Sequence, residues 1–479
     1  MKTLVPTRRR KTARLGGMST YPAALEPLAA ILVCVMSLNC QAQTTQEPSA
    51  TSPAAGEASG AFRSVEALID ESGIKFDGYV QGGFVRNDVS TVSERHGGIS
   101  NYPLPQVSDE NFSFNAIETF LHKDIEGNVQ PRGGPKPGEA ATAVSWGFMI
   151  ESLYGRNGQA AKMFGFDDNI GPNHPGDLNP AKAASSRQNF FAFPNVFVQF
   201  ALPVAEGAAL TLGRFGAGVS YEIPVQTKAA PNFFYSRTYA FTANPDQVAG
   251  VLASANLGRG ASGAWMGELG VVNGWQNWAD NNGQKTLLGA LRWRANDFHR
   301  GVNFALITGD EQNDPGNKPQ FPNNPVVSPN PQRRTHAAIN GFWETGPWYF
   351  AGEALEGKQD GDGRPQTILL GPDGGRGFTG ATYGDVNLHA HYKFDSHWAL
   401  GARAERYWSP QGFSLLPLTA ARGAINALTV GLRYDLNSFI RLRPELRYDK
   451  QTDAQGIKAF GSGRETQQLM GAVDLLVYF

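Results

Sequence analysis

From Lys75 to the final residue, Phe479, polar and apolar side chains alternate with a period of two in one short stretch after another. Few folds tolerate that pattern. Asp385-Val386-Asn387-Leu388-His389-Ala390-His391-Tyr392-Lys393-Phe394 alternates without a break. Past the turn at Asp395-Ser396, Trp398, Leu400, Ala402 and Ala404 fall on one face and Gly401, Arg403 and Glu405 on the other. Leu428, Val430, Leu432 and Tyr434 oppose Thr429, Gly431, Arg433 and Asp435. Ile440, Leu442, Leu446 and Tyr448 oppose Arg441, Arg443, Glu445, Arg447 and Asp449. Successive side chains of a strand point to opposite faces, so each stretch is a strand with one apolar and one polar side.

A soluble sandwich gives the same alternation, and the connections discriminate. Short turns at 205–207, 296–299, 345–347, 395–396 and 435–438 alternate with long polar loops near 86–111, 155–193, 216–245, 274–284, 310–334, 358–381, 409–424 and 450–466. Short turns on one rim and long loops on the other are the outer-membrane arrangement. The 124–143 connection is the exception, too long for a tidy turn. The spacing predicts about 16 strands, an even number that returns both termini to the periplasm. The expected fold is all-β: a transmembrane antiparallel up-and-down β-barrel over 74–479. Mean hydropathy is −0.32, and outside the first 42 residues no apolar run approaches the ~18 that a spanning helix needs. A helical membrane protein is thereby excluded.

The N-terminus predicts export. Lys2, Arg8, Arg9, Arg10, Lys11 and Arg14 precede an apolar run from Leu28 to Leu38, and Cys40-Gln41-Ala42 offers a small residue for cleavage. A signal peptide over 1–42 is expected. A start at Met18 leaves no basic residue before the apolar run, and Ser37-Leu38-Asn39 is a poor lipoprotein context for Cys40. Removing 1–42 leaves 36 basic residues against 42 acids, a net charge of −6, and takes away both cysteines. The mature chain then has no disulfide and no thiol chemistry, and nothing in its charge suggests nucleic-acid binding. Residues 43–73, rich in Ala, Ser, Thr and Pro, read as a disordered periplasmic linker, with a short helix over Ser64–Ser72.

Sixteen strands enclose a lumen wide enough for water. A charge facing lipid near the midplane costs about 2–4 kcal/mol, so Arg403, Glu405, Arg433, Arg441, Arg443, Glu445 and Arg447 are expected to line the pore, with His389 and His391. The competing reading makes these charges cross-strand pairs that brace the wall. The 216–245 loop, with Tyr221, Glu222, Lys228, Phe233, Phe234, Tyr235 and Arg237, is the candidate constriction, either folded inward or capping the outer mouth. His389 and His391 share a face, but with Asp385 they make no full ligand set, so polar lining is favoured over a metal. Asp167-Asp168-Asn169 with Asp177, and Asp310-Glu311 with Asp314, lack the spacing of a Ca²⁺ loop. No G-x-S-x-G elbow is present. Gly361-Asp362-Gly363 and 371–377 are turn-rich loop with no helix to complete a phosphate cradle. No catalytic residue, metal or cofactor is assigned.

Trp146, Tyr154, Trp293, Trp343, Trp348, Trp398, Tyr434, Tyr448 and Phe479 sit near strand ends, where amphipathic rings favour the membrane interface. Specific motifs add to the pattern. Gly78-Tyr79-Val80-Gln81, Trp146-Gly147-Phe148 and Tyr154-Gly155 are followed by Gly213-Arg214-Phe215, Tyr221-Glu222 and Asn232-Phe233-Phe234-Tyr235-Ser236-Arg237. Gly250-Val251-Leu252, Val272-Asn273-Gly274-Trp275-Gln276-Asn277 and Lys285-Thr286-Leu287-Leu288-Gly289 complete the series. In order and spacing these stretches resemble the β-barrel porin-2 (OmpL-like) family. Gln276 in place of an acid, and Phe215-Gly216-Ala217-Gly218 in place of a bulkier stretch, depart from its pattern. The resemblance implies an outer-membrane porin that passes small hydrophilic solutes or ions by passive diffusion. A non-conducting barrel serving as adhesin, anchor or surface-presenting structure is the alternative, and a barrel enzyme ranks below both. Expected partners are outer-membrane lipid, the barrel-assembly machinery through the strand ending at Phe479, small solutes, and two further copies in a homotrimer.

Overall fold

The computed structural model describes residues 72–89, 112–167, 189–204, 206–280, 282–311, 332–360, 380–411, 422–455, 458–461 and 463–479. The expected signal peptide and the linker as far as residue 71 lie outside them, as do Asp168, Asn169, Asp177, Asp314, and the glycine-rich stretches after 360.

Nineteen strands follow one another among the described residues. They are β1 (Lys75–Asn87), β2 (Phe112–Lys123), β3 (Val129–Gln130), β4 (Gly134–Pro135), β5 (Ser145–Gly155), β6 (Phe190–Ala192) and β7 (Val196–Leu202). Next are β8 (Ala208–Gly216), β9 (Gln247–Arg259), β10 (Gly263–Val272), β11 (Thr286–Ala295), β12 (Arg300–Glu311) and β13 (Gln332–Thr345). The last are β14 (Trp348–Gln359), β15 (Ala381–Lys393), β16 (Trp398–Ser409), β17 (Arg422–Asp435), β18 (Ile440–Gln455) and β19 (Gln467–Tyr478). All except β3 and β4 join one sheet in which sequence neighbours pair antiparallel. β1 pairs with β19, Tyr79 opposite Tyr478 and Val80 opposite Val477, which closes the barrel. Gly78 and Phe479 exchange both backbone hydrogen bonds at 3.1 Å, so the last residue is part of the seam.

β6 and β7 both pair with β5 and form one interrupted strand. The barrel therefore has 16 staves, the number that the alternation predicts. Asn195 bridges the interruption: its carbonyl accepts from the Glu151 N–H at 2.8 Å, and its side chain joins Glu151 (2.5 Å) to the Gly216 N–H (2.9 Å).

The two faces separate as the sequence requires. On β16, Trp398 and Leu400 are 42% and 40% exposed, whereas Arg403 and Glu405 are 1% and 5% exposed. The outward side chains form the apolar belt, and Trp146, Trp343, Trp348 and Trp398 ring it at the short-turn rim. The turns there are set by side chains. Asp395 accepts from the N–H groups of His397 and Trp398 (2.7 and 2.8 Å), which holds its carboxyl below the usual range. Asn437 does the same for Phe439 and Ile440.

Candidate functional site

Residues 217–246, between β8 and β9, cross the lumen. β8 and β9 lie half a circumference from β16 and β17 in the strand order, yet the loop reaches β14–β19, β1 and β2. Glu222 pairs with Arg403 at 3.0 Å, both side chains 1% exposed. Arg403 also donates to the Ser236 carbonyl (3.0 Å) and hydroxyl (2.8 Å). Glu445 accepts from the N–H groups of Tyr235 (2.8 Å) and Ser236 (3.2 Å). Glu405 accepts from the N–H groups of Tyr239 and Ala240, which open the short helix α1 (Tyr239–Ala243). Arg447 donates to the Arg237 carbonyl (2.8 Å) and to Glu405 (3.2 Å), and Arg443 to the Asn232 carbonyl (3.1 Å). On the other flank, Tyr221 donates its N–H to Glu353 (3.2 Å), and its hydroxyl meets that of Tyr349 (3.1 Å). The Gln226 N–H reaches the Tyr79 hydroxyl (3.1 Å), and the Tyr235 hydroxyl accepts from Asn115 (2.8 Å).

Wall glycines make the space. A Cβ at Gly83 would strike the Tyr235 ring, one at Gly401 the Phe233 ring, and one at Gly431 would crowd Phe234. The loop thus seats three aromatics in wall positions that lack side chains. A buried charge without partners is costly, which is why the polar inner face answers the loop group by group. Arg237 is 1% exposed, and burial pulls its guanidinium down to about 10. Asp246, at the foot of the loop, is pushed up to about 7 by burial, with Arg237 opposing.

The 124–143 connection is the second inward element. β3 and β4 pair as a small hairpin. The Arg132 N–H donates to Glu268 (2.6 Å), Arg294 donates to the Gly133 carbonyl (2.6 Å), and Asn256 to the Asn128 carbonyl (3.2 Å). The hairpin rises from the turn rim and docks on β9–β11. There Arg292, paired with Glu268 at 2.6 Å, also donates to the Gly218 carbonyl of the crossing loop (2.8 Å). The two inward segments therefore meet around one buried ion pair.

The inward charges are not equally wet. Arg403, Arg443, Arg447, Glu405 and Glu445 lie on the lumen face but beneath the loop. Arg443 forms a two-bond pair with Asp474 across β18 and β19 (2.9 and 2.6 Å), and Arg447 pairs with Asp449 (2.8 Å), so bracing is part of their role. Arg433 and Arg441 stay in reach of water, at 28% and 10% side-chain exposure, and share Asp435. His389 bonds Asn387 (3.0 Å) and His391 stacks on Phe233. Lys228 is exposed beside Phe439 and Tyr478. Asp167 is occupied by Arg214 (2.6 Å), the Met163 N–H (2.6 Å) and the Phe193 N–H (2.8 Å). Asp310 pairs with Arg333, and Glu311 accepts from the Trp275 N–H. Among the described residues no cluster of three or more His, Cys, Asp or Glu side chains is arranged to hold a metal. Sequence reasoning missed the hairpin with Arg132, Arg292 and Arg294, and the wall acceptors Glu353 and Asp474. The excess length of the 124–143 connection was the signal for the first.

Residues 73–479 match the family described as "Putative beta-barrel porin-2, OmpL-like". The chain belongs to that family. It is an outer-membrane porin barrel, with its short turns periplasmic and its long loops outside. No curated protein matches the sequence. Among solved structures, the porin is similar to OmpT of Vibrio cholerae at 10% identity, covering 85% of this chain and 97% of that one with a TM-score of 0.46. The anion-selective porin from Comamonas acidovorans shares 12% identity over 85% and 99% of the two chains, TM-score 0.47. The outer membrane channel DcaP of Acinetobacter baumannii shares 9% over 85% and 97%, TM-score 0.46.

Proposed function

We propose that this porin passes small hydrophilic solutes and ions by diffusion, through a lumen narrowed by the 217–246 loop from outside and by the β3–β4 hairpin from the periplasm. The observation that carries the reading is a closed 16-stave barrel with a charged inner face, too wide for its own wall side chains to fill. The loop is the constriction and its wall pairs keep it in place. No chemistry on the solute and no cofactor enters the reading. Arg433 and Arg441, still in contact with water, bear on passing ions more than Arg443 and Arg447, which are tied beneath the loop. The apolar belt meets lipid, Phe479 at the seam presents the terminal strand to the assembly machinery, and a homotrimer is the proposed assembly.

One observation favours the alternative of a non-conducting barrel: the crossing loop buries most of its contact with the far wall. Ion selectivity across a planar bilayer discriminates. Under a KCl gradient, Arg441→Gln shifts the reversal potential of the refolded mature chain, whereas Arg443→Gln leaves it nearly unchanged once folding is verified. Equal shifts would contradict the assigned path.

A further inference from the structure

One band of the lumen wall is unlike the rest. Near the periplasmic rim, aromatic rings and cations follow one another from β11 round to β19. The Arg294 guanidinium lies 5.3 Å from the Phe342 ring centre. Phe342 stacks on Tyr349 (6.0 Å, 4°), Tyr349 on His391 (5.4 Å, 5°), and His391 on Phe233 (4.1 Å, 22°). Arg433 lies 5.4 Å from Phe233, and Arg441 and Lys228 lie 5.6 and 5.4 Å from Tyr478. Phe342, Tyr349, Arg294, Arg433 and Lys228 all keep some contact with solvent.

The cations of this band outnumber their counter-charges. Arg294 donates to Asn303 and to the Trp293 and Gly133 carbonyls. Among the described residues neither it nor Lys228 has a carboxylate within ion-pair distance. Arg433 and Arg441 divide Asp435 between them, and Glu344 of the same rim is turned to His299 at 3.0 Å. The lumen acids that would balance them, Glu222, Glu353, Glu405, Glu445 and Asp474, are buried against the loop or paired within the wall.

We propose that this band is a binding vestibule for planar organic anions, aromatic carboxylates above all. Guanidinium groups hold a carboxylate through charge-assisted, two-bond geometry. The ring faces between them add offset stacking that an aliphatic acid of the same charge lacks. Phe342 and Tyr349 are the rings of this row that keep solvent contact, whereas His391 and Phe233, 7% and 4% exposed, back them from beneath the loop. The inference deepens the porin reading, which it needs only for the route by which the anion arrives; binding itself is open to the periplasmic side.

The test is equilibrium dialysis of labelled benzoate against the detergent-refolded mature chain, with acetate and benzylammonium as competitors. Saturable benzoate binding is expected, displaced by neither competitor at equal concentration. The double variant Arg294→Gln/Arg433→Gln weakens it about tenfold or more, as loss of charged hydrogen bonds does. Phe342→Leu, which keeps every charge, brings benzoate towards acetate. Arg433→Lys checks that the loss is not misfolding, since it keeps the charge without the two-bond fork. Absent saturable binding, equal binding of benzoate and acetate, or unchanged affinity in the double variant would each overturn the proposal. Bilayer conductance is read separately. A barrel that binds benzoate but never conducts overturns the porin reading alone, and one that conducts without binding benzoate overturns the vestibule alone.

Discussion

Glu222 and Arg403 illustrate what a single residue contributes to this barrel. Both are buried, and each would be an unpaired charge without the other. Removing one partner of such a pair costs about 3–5 kcal/mol, so Glu222→Gln is expected to lower the melting temperature and to release the loop from the far wall. Lys358→Gln is the control: its pair with Asp360 is 66% and 43% exposed, and such pairs contribute about 0–1 kcal/mol. Equal melting temperatures for the two variants, read by circular dichroism, would refute this account of the loop. Asp246 adds a pH dependence. Its carboxyl titrates at about 7 in the folded chain, above the unfolded value of about 3.9. The neutral form therefore favours the docked loop, and docking weakens as pH rises from about 4 to about 7, by on the order of 1 kcal/mol per pH unit. Above 7 the effect is flat. Asp246→Asn should make this slope in melting temperature against pH shallower, and an unchanged slope would assign it to other groups.

At the scale of elements, the strands were legible and the inward segments were not. A strand declares itself locally, because Trp398, Leu400, Arg403 and Glu405 reveal their faces by spacing alone. Loop docking is a non-local match. Glu222 finds Arg403 181 residues away, and nothing in the composition of 217–246 names the wall that it meets. Gly401 and Gly431 looked like ordinary polar-face positions until Phe233 and Phe234 filled them. Pro131, Gly133 and Gly134 leave no alternation to mark the hairpin, and only the length of the 124–143 connection was unusual. β6 and β7 show a smaller limit: Asn195 mends a break that alternation cannot register. Gly401→Leu places a side chain where Phe233 sits, and should undock that part of the loop while the strand pairing of β16 persists. Amide exchange is expected to rise in 217–246 and to stay slow in β16. Exchange that rises in both would mean that the loop and wall are not separable.

For the whole molecule, the arrangement separates two jobs. The barrel, closed at β1 and β19, supplies an insoluble-in-water exterior and a polar interior, and its stability rests on strand pairing and lipid contact. The loop and hairpin set how much of that interior water reaches. The charges that the sequence singled out divide accordingly: Arg403, Arg443 and Arg447 hold the loop and brace the wall, while Arg433 and Arg441 remain beside the open space. The measurement that tests this most directly is single-channel conductance of the refolded mature chain, beside a variant whose 220–243 segment is replaced by a short Gly/Ser turn. The account predicts discrete open steps for the native chain and larger ones for the variant. A native barrel that folds but never conducts, whatever the variant does, would contradict it.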